Sequence, residues 1–170
     1  MSSAAYFRTL AAYNRWANRR LYKACAEISD DDYYDDTGAF FGSIHHTLNH
    51  ILVGDRLWMG RLQNVDAHID TLDQVLYTTF SDLFAARRAE DERIVAHMAT
   101  VSDGDLRGHL VYQSMAGADQ ETRLDLVLGH FFNHQTHHRG QVHDMLSRAG
   151  EDPPPLDLIY FSRDPSFTSS

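Results

Sequence analysis

Residues 129–142 read Gly-His-Phe-Phe-Asn-His-Gln-Thr-His-His-Arg-Gly-Gln-Val, and no other stretch constrains the chain as much. On a helix, residues three or four apart share a face. Val127, Phe131, Val142 and Met145 trace an apolar stripe at such steps, and His134 and His138 fill its middle. The stripe should face a core, so two imidazoles one turn apart are carried into a packed interior. Neutral rings placed there need partners. A metal ion is the simplest, because each ring offers one lone pair at a fixed distance.

A third candidate ligand comes from an earlier segment. Ser43 can cap a helix over roughly 43–63, with Ile44, Leu48, Ile51, Leu52, Trp58, Met59 and Leu62 as its apolar arc. His46, His50, Val53 and Leu57 form an adjacent stripe, which places His50 beside that arc. Three nitrogens from two helices leave one tetrahedral position open, the arrangement of a catalytic rather than a structural site. His46 and His130 read as partners behind the ligands or as surface residues. His137 points about 100° away from its neighbours. His45, His68, His97, His109 and His143 belong to no constellation. A reading without metal is also open, in which His50, His134 and His138 are core histidines hydrogen-bonded to buried groups.

Other histidine chemistries fail on residue type. A zincin protease needs Glu after the first His of its pair, and here Gln135 follows His134. A di-iron carboxylate bundle needs Glu-x-x-His, and c-type haem needs Cys-x-x-Cys-His; neither string occurs.

The rest of the chain reads as helices with one small exception. Periodicity predicts a first helix over about 3–28, ended by Ser29-Asp30-Asp31-Asp32, then a loop from Tyr33 to Phe40. Tyr13 and Trp16 read as packing residues. Residues 64–78 look like a long connection, the mark of a crossover. A third helix starts by Ser81-Asp82 and runs to about 99, with Arg87, Arg88, Glu90, Asp91, Glu92 and Arg93 as a solvated face. His109–Gln113 is strand-like and 117–121 reads as the turn after it, so a small hairpin precedes the last helix. Thr122 is the expected cap of that helix, which runs to Arg148 and stops at Ala149-Gly150. Leu156–Phe161 is apolar enough to cross the bundle, and the end from Phe167 onward should fray. Asp55, Tyr112 and Gln135 are possible pocket residues; Asp55 lies on an apolar arc and needs a partner.

At 170 residues the expectation is one all-α domain, 1–170, with a real core. A net charge of −9 argues against nucleic acid and against an anionic membrane surface. The single cysteine, Cys25, excludes an intrachain disulfide framework and reads as a small buried residue rather than a nucleophile. No signal peptide or spanning segment is evident, so a cytoplasmic protein is expected.

Several motifs together resemble the DinB/YfiT-like family of damage-inducible proteins and metalloenzymes. They are Tyr13-Asn14-Arg15-Trp16-Ala17-Asn18, Leu48-Asn49-His50-Ile51-Leu52 with Trp58, Asn133-His134-Gln135-Thr136-His137-His138-Arg139-Gly140-Gln141, and the ending Gly150–Ile159. The resemblance spans about 6–164. It implies a four-helix bundle, up-down-down-up, with a long crossover between helices two and three, often as a homodimer. It implies a divalent metal, zinc or nickel, on His50, His134 and His138. It also implies an enzyme such as a low-molecular-weight-thiol S-transferase, or a hydrolase-like metalloenzyme, acting on a small molecule. The alternative is a non-catalytic, metal-binding, stress-associated dimer.

Overall fold

The structure is a computed structural model that describes residues 3–165 and residue 167, and the chain is mostly helical. Helix α1 spans Ala4–Cys25; the Ser3 hydroxyl accepts from the Tyr6 N–H as its cap. Ser29 was expected only to end this helix. Its hydroxyl instead accepts from the Asp32 N–H and starts α2, Asp30–Tyr34, whose three aspartates complement the positive helix end. The expected loop therefore begins two residues later and Tyr33 is buried. Helix α3, Ile44–Gln63, is capped by Ser43 as expected and ends on Asn64 in the left-handed conformation, φ 53°. After the long connection, Thr79 caps α4, Phe80–Thr100. A single turn of 3-10 helix follows at Asp105–Arg107.

The hairpin exists, but its second half differs from expectation. β1, His109–Gln113, pairs antiparallel with β2, Asp119–Arg123, and Leu110 faces Thr122 across the ladder. The turn is thus residues 114–118, with Gly117 at φ 78°. Thr122 is a strand residue and caps nothing. Helix α5, Leu124–Arg148, starts after Arg123 without a side-chain cap, directly off the strand. The tail crosses the bundle: α6, Leu158–Phe161, buries Phe161 against Tyr13 and Trp16. Tyr13 donates its hydroxyl to the Leu156 carbonyl at 2.8 Å, and Trp16 Nε1 donates to Asp164 at 2.8 Å. Phe167 packs on Phe161 at 4.9 Å rather than fraying. Residues 168–170, where fraying was also expected, lie outside the described residues.

Residue pairs show how the four long helices meet. Along α1 and α4, Arg8 reaches the Val101 carbonyl, Asn18 reaches Asp91, and Tyr22 stacks on Phe84, so the numbers run in opposite senses. Along α3 and α5, His50 meets His138 and Trp58 meets His130, again in opposite senses. Along α1 and α5, Phe7 stacks on Phe132 and Asn14 takes Arg139; along α3 and α4, Asp55 takes Arg87 and Gln63 takes Arg93. Those two pairs run in the same sense.

Two apolar clusters fill the interior, and a polar belt divides them. One cluster holds Leu21, Tyr22, Ile44, Leu48, Leu83 and Leu146, the other Phe7, Ala11, Met59, Ile94, Met98 and Phe131. In sequence between them on their four helices lie Asn14, Asn18, Asp55, Arg87, Asp91, Gln135 and Arg139, all buried. Arg87 donates to Asp55 and pairs with Asp91 at 3.0 Å. Asn18 donates to Asp91 at 2.9 Å, while Arg139 donates to Asn14. Burial pushes the Asp55 carboxyl up, to about 7, against the pull of Arg87. Burial also opposes the Arg87 charge, and Asp91 and Asp55 more than offset it. The solvated face expected on α4 is corrected here: Arg87, Glu90 and Asp91 are buried, while Arg88 and Glu92 are exposed. Asp55 has the partner it needed, and so is not a free pocket acid.

Candidate metal centre

His50, on α3, and His134 and His138, on α5, come together beside the polar belt. One ring nitrogen from each lies within 4.8 Å of the others. His50 and His138 are buried and His134 is half-buried. The Nε2 atoms of His50 and His134 face each other at 3.2 Å. Two ligands at about 2.05 Å on a tetrahedral ion would stand about 3.3 Å apart.

The outer nitrogens explain why the inner ones are bare. His50 Nδ1 donates to the Leu72 carbonyl at 2.7 Å, and His138 Nδ1 donates to Gln141 Oε1 at 2.8 Å. A neutral imidazole carries one N–H, so each Nε2 is left as a lone pair. Such outward bonds orient metal-ligating histidines and raise their basicity. Burial, then the neighbouring imidazoles, hold His134 down at about 3. Burial holds His138 at about 4 and lowers His50 as well. All three rings are therefore neutral near pH 7, the state that binds a cation.

Two further residues shape the site. The His134 ring lies against Gly54, where a Cβ would come within 2.9 Å of Cε1. Phe41 stacks on His50 with ring centroids 3.9 Å apart and meets His138 edge-on at 5.6 Å. The three-imidazole donor set, the Nε2 lone pairs of His50 and His138, and the space made by Gly54 fit a divalent ion.

His46 is exposed and its Nδ1 bonds the Ser43 hydroxyl at 2.8 Å. His45 is buried against Tyr33 and Asn49, away from the cluster. His130 is exposed, with its ring 5.8 Å from His134 and 5.2 Å from Trp58. His137 is exposed and meets His138 ring to ring. Gln135 is fully buried in the belt, and neither atom of its amide has a hydrogen-bond partner among the described residues. It does not open to a pocket. Tyr112 stands against Trp58 at 5.2 Å.

Sequence reasoning missed Phe41, Gly54, Leu72 and Gln141. Two of them left a trace. Gly54 falls four residues after His50 and four before Trp58, on one face, where a missing side chain signals a close approach. Gln141 follows His138 by three. Phe41 and Leu72 reach the site from outside the long helices, and no periodicity marks them.

The site thus defines a helical protein with a three-histidine centre shared by two helices. The model of the DinB family matches residues 1–165, and the chain belongs to that family. It is 26% identical over 157 residues to Protein DinB of Bacillus subtilis (strain 168), covering 87% of this chain and 88% of that protein. Among the described residues no helix is long and apolar enough to cross a membrane.

Proposed function

We propose that His50, His134 and His138 hold one divalent ion, zinc or nickel, and that the chain is a metal-dependent enzyme acting on a small molecule. The reaction class we favour is S-transfer from a low-molecular-weight thiol. One observation carries the reading: one ring nitrogen from each of His50, His134 and His138 lies within 4.8 Å of the others while the Nδ1–H groups of His50 and His138 are engaged outward. Three nitrogen ligands suit an open, reactive site. When bound, the ion supplies positive charge that favours thiolate over thiol. The chain's own residues do the rest. Leu72 and Gln141 fix the ring planes, Gly54 admits His134, and Phe41 covers one side of His50 against water. In the transfer, the thiol loses its proton to solvent water, its sulfur bonds an electrophilic carbon, and the leaving group departs with the bonding pair. Cys25 is not that sulfur: it is buried, and burial pushes its thiol up to about 12.

The same proposal includes one domain over 1–170 with up-down-down-up topology, supported by the senses of the helix pairings above. A homodimer rests on the family resemblance, and a cytoplasmic location on the sequence reading given above. The acidic balance speaks against nucleic acid and anionic membranes.

Elemental analysis of wild type beside His134→Ala is the first test. One ion per chain, lost in the variant, supports the site; a wild type that takes up neither zinc nor nickel overturns it. Cobalt-substituted protein then tests the chemistry. Spectra perturbed by low-molecular-weight thiols support transfer. Spectra unchanged across a thiol panel refute it and leave a metal-holding protein without that catalysis.

A further inference from the structure

A strip of rings leads away from the histidine cluster and ends on an arginine. His134 is followed by His130 at 5.8 Å and by Trp58 at 5.2 Å from His130. Arg61 then lies over Trp58 at 4.6 Å and over Tyr112 at 4.8 Å. Trp58 and Arg61 stand on α3, continuing the face that carries His50 and Gly54, and Tyr112 comes from β1. Of these five groups His130 is exposed and the other four are half-buried.

Arg61 is held but not neutralised. Its Nη2 donates to the Gln113 carbonyl at 2.8 Å, which ties the hairpin to α3. No carboxylate lies within ion-pair distance of it among the described residues. Asp66, which shares a cavity of about 420 Å³ with Arg61 and Tyr112, is turned to the backbone and ring of His68. The two rings, 5.2 Å apart, both lie against the Arg61 guanidinium, and beyond the one bond to Gln113 its N–H groups have no protein acceptor among the described residues. A guanidinium edge matches the two oxygens of a carboxylate. In a chain of net charge −9, a cation fixed this firmly without an acid is a poor choice for a mere hairpin clamp.

We infer that Arg61 anchors a carboxylate on the ligand of the histidine centre. The ligand extends from the cluster along His130 and Trp58, and its anionic end meets the guanidinium. One lone cation matches one carboxylate charge better than a doubly charged phosphate. Gly54, against His134, and Arg61 are seven residues apart, about 10 Å of helix rise. The matching molecule is therefore an extended monoacid with its reactive group at the far end. The inference rests on the metal reading above.

Cobalt-loaded protein provides the test, with visible spectra giving dissociation constants. The probes are mercaptohexanoate, its amide, the phosphonate of equal length, and the shorter mercaptopropionate with its amide. Wild type is expected to bind mercaptohexanoate about tenfold tighter than the amide. The short pair should show no such preference. In Arg61→Gln the preference disappears while amide affinity stays. Arg61→Lys, which keeps the charge and loses the fork, should retain part of it, and the wild-type comparison needs no variant at all. Equal binding of long acid and amide in wild type overturns the inference, as does a preference that survives in Arg61→Gln. A phosphonate bound tighter than the acid overturns the carboxylate assignment. These failures leave the metal site intact. If cobalt is not taken up, or the amide does not bind, the reading of the site itself fails and the inference fails with it.

Discussion

Gly54 and His134 set the tolerance of the site. A Cβ at Gly54 would press on the imidazole at 2.9 Å, and the ring would have to turn off its line with His50. Gly54→Ala should therefore weaken metal binding by about tenfold, the scale seen when a ligand's support is disturbed. Competition with a chelating dye measures this. Gly129 offers a control on α5, since nothing lies within 4 Å of an added Cβ. Gly129→Ala should leave metal affinity alone and stabilise the helix by ~1 kcal/mol in urea titration. Phe41 acts differently. It covers His50 without bonding to it, so Phe41→Ala should speed removal of the ion by EDTA several-fold with little change in equilibrium affinity. Equal extraction rates would remove any shielding role for that ring.

At the scale of elements, α4 carries the clearest consequence. Its buried Arg87 lies between Asp55 of α3 and Asp91 of its own helix. Arg87→Leu removes the cation and strands two buried carboxyls, so it should cost about 3–5 kcal/mol in denaturant unfolding. Arg88→Ala, one residue on and exposed, should stay within ~0.5 kcal/mol. The sequence could not separate these two arginines. A charge run on an isolated helix looks like a solvated face, and it takes partners on other helices, Asn18 of α1 and Asp55 of α3 among them, to turn part of it inward. The long helices were legible because their apolar positions recur locally and Ser43 caps where a cap was expected. His50, His134 and His138 were legible because they share faces with apolar residues. Phe41 and Leu72 were not, because each reaches the site from a loop whose path depends on the finished fold. Thr122 misled for a related reason: α5 needs no side-chain cap where a strand runs straight into it.

The whole molecule should report its neutral histidines through pH. His134 is held at about 3 and His138 at about 4, with His50 also lowered. An unfolded chain takes up protons on these rings near pH 6.5, and the folded metal-free protein does not. Their contribution is thus fully present above about pH 7 and is lost as pH falls toward 4. Asp55, pushed up to about 7, works in the opposite direction over the same range. The informative quantity is the difference between wild type and His134→Gln/His138→Gln. Melting temperatures of the metal-free proteins should show the wild type losing more stability from pH 7 to pH 5 than the double variant. Parallel curves would contradict neutral rings.

His50 and its partner His134 are 84 positions apart, and α5 is the last of the four long helices. On a ribosome moving at ordinary speed, that separation is on the order of ten seconds of synthesis. For that interval the emerging chain displays a lone His50 on α3, with its second and third ligands still unmade. Arg139, which joins α5 to Asn14 of α1, arrives as late. The site proposed to hold the ion is therefore complete only once α5 is made and packs against α1. A nascent chain arrested before α5 should hold no metal, however much is offered to it.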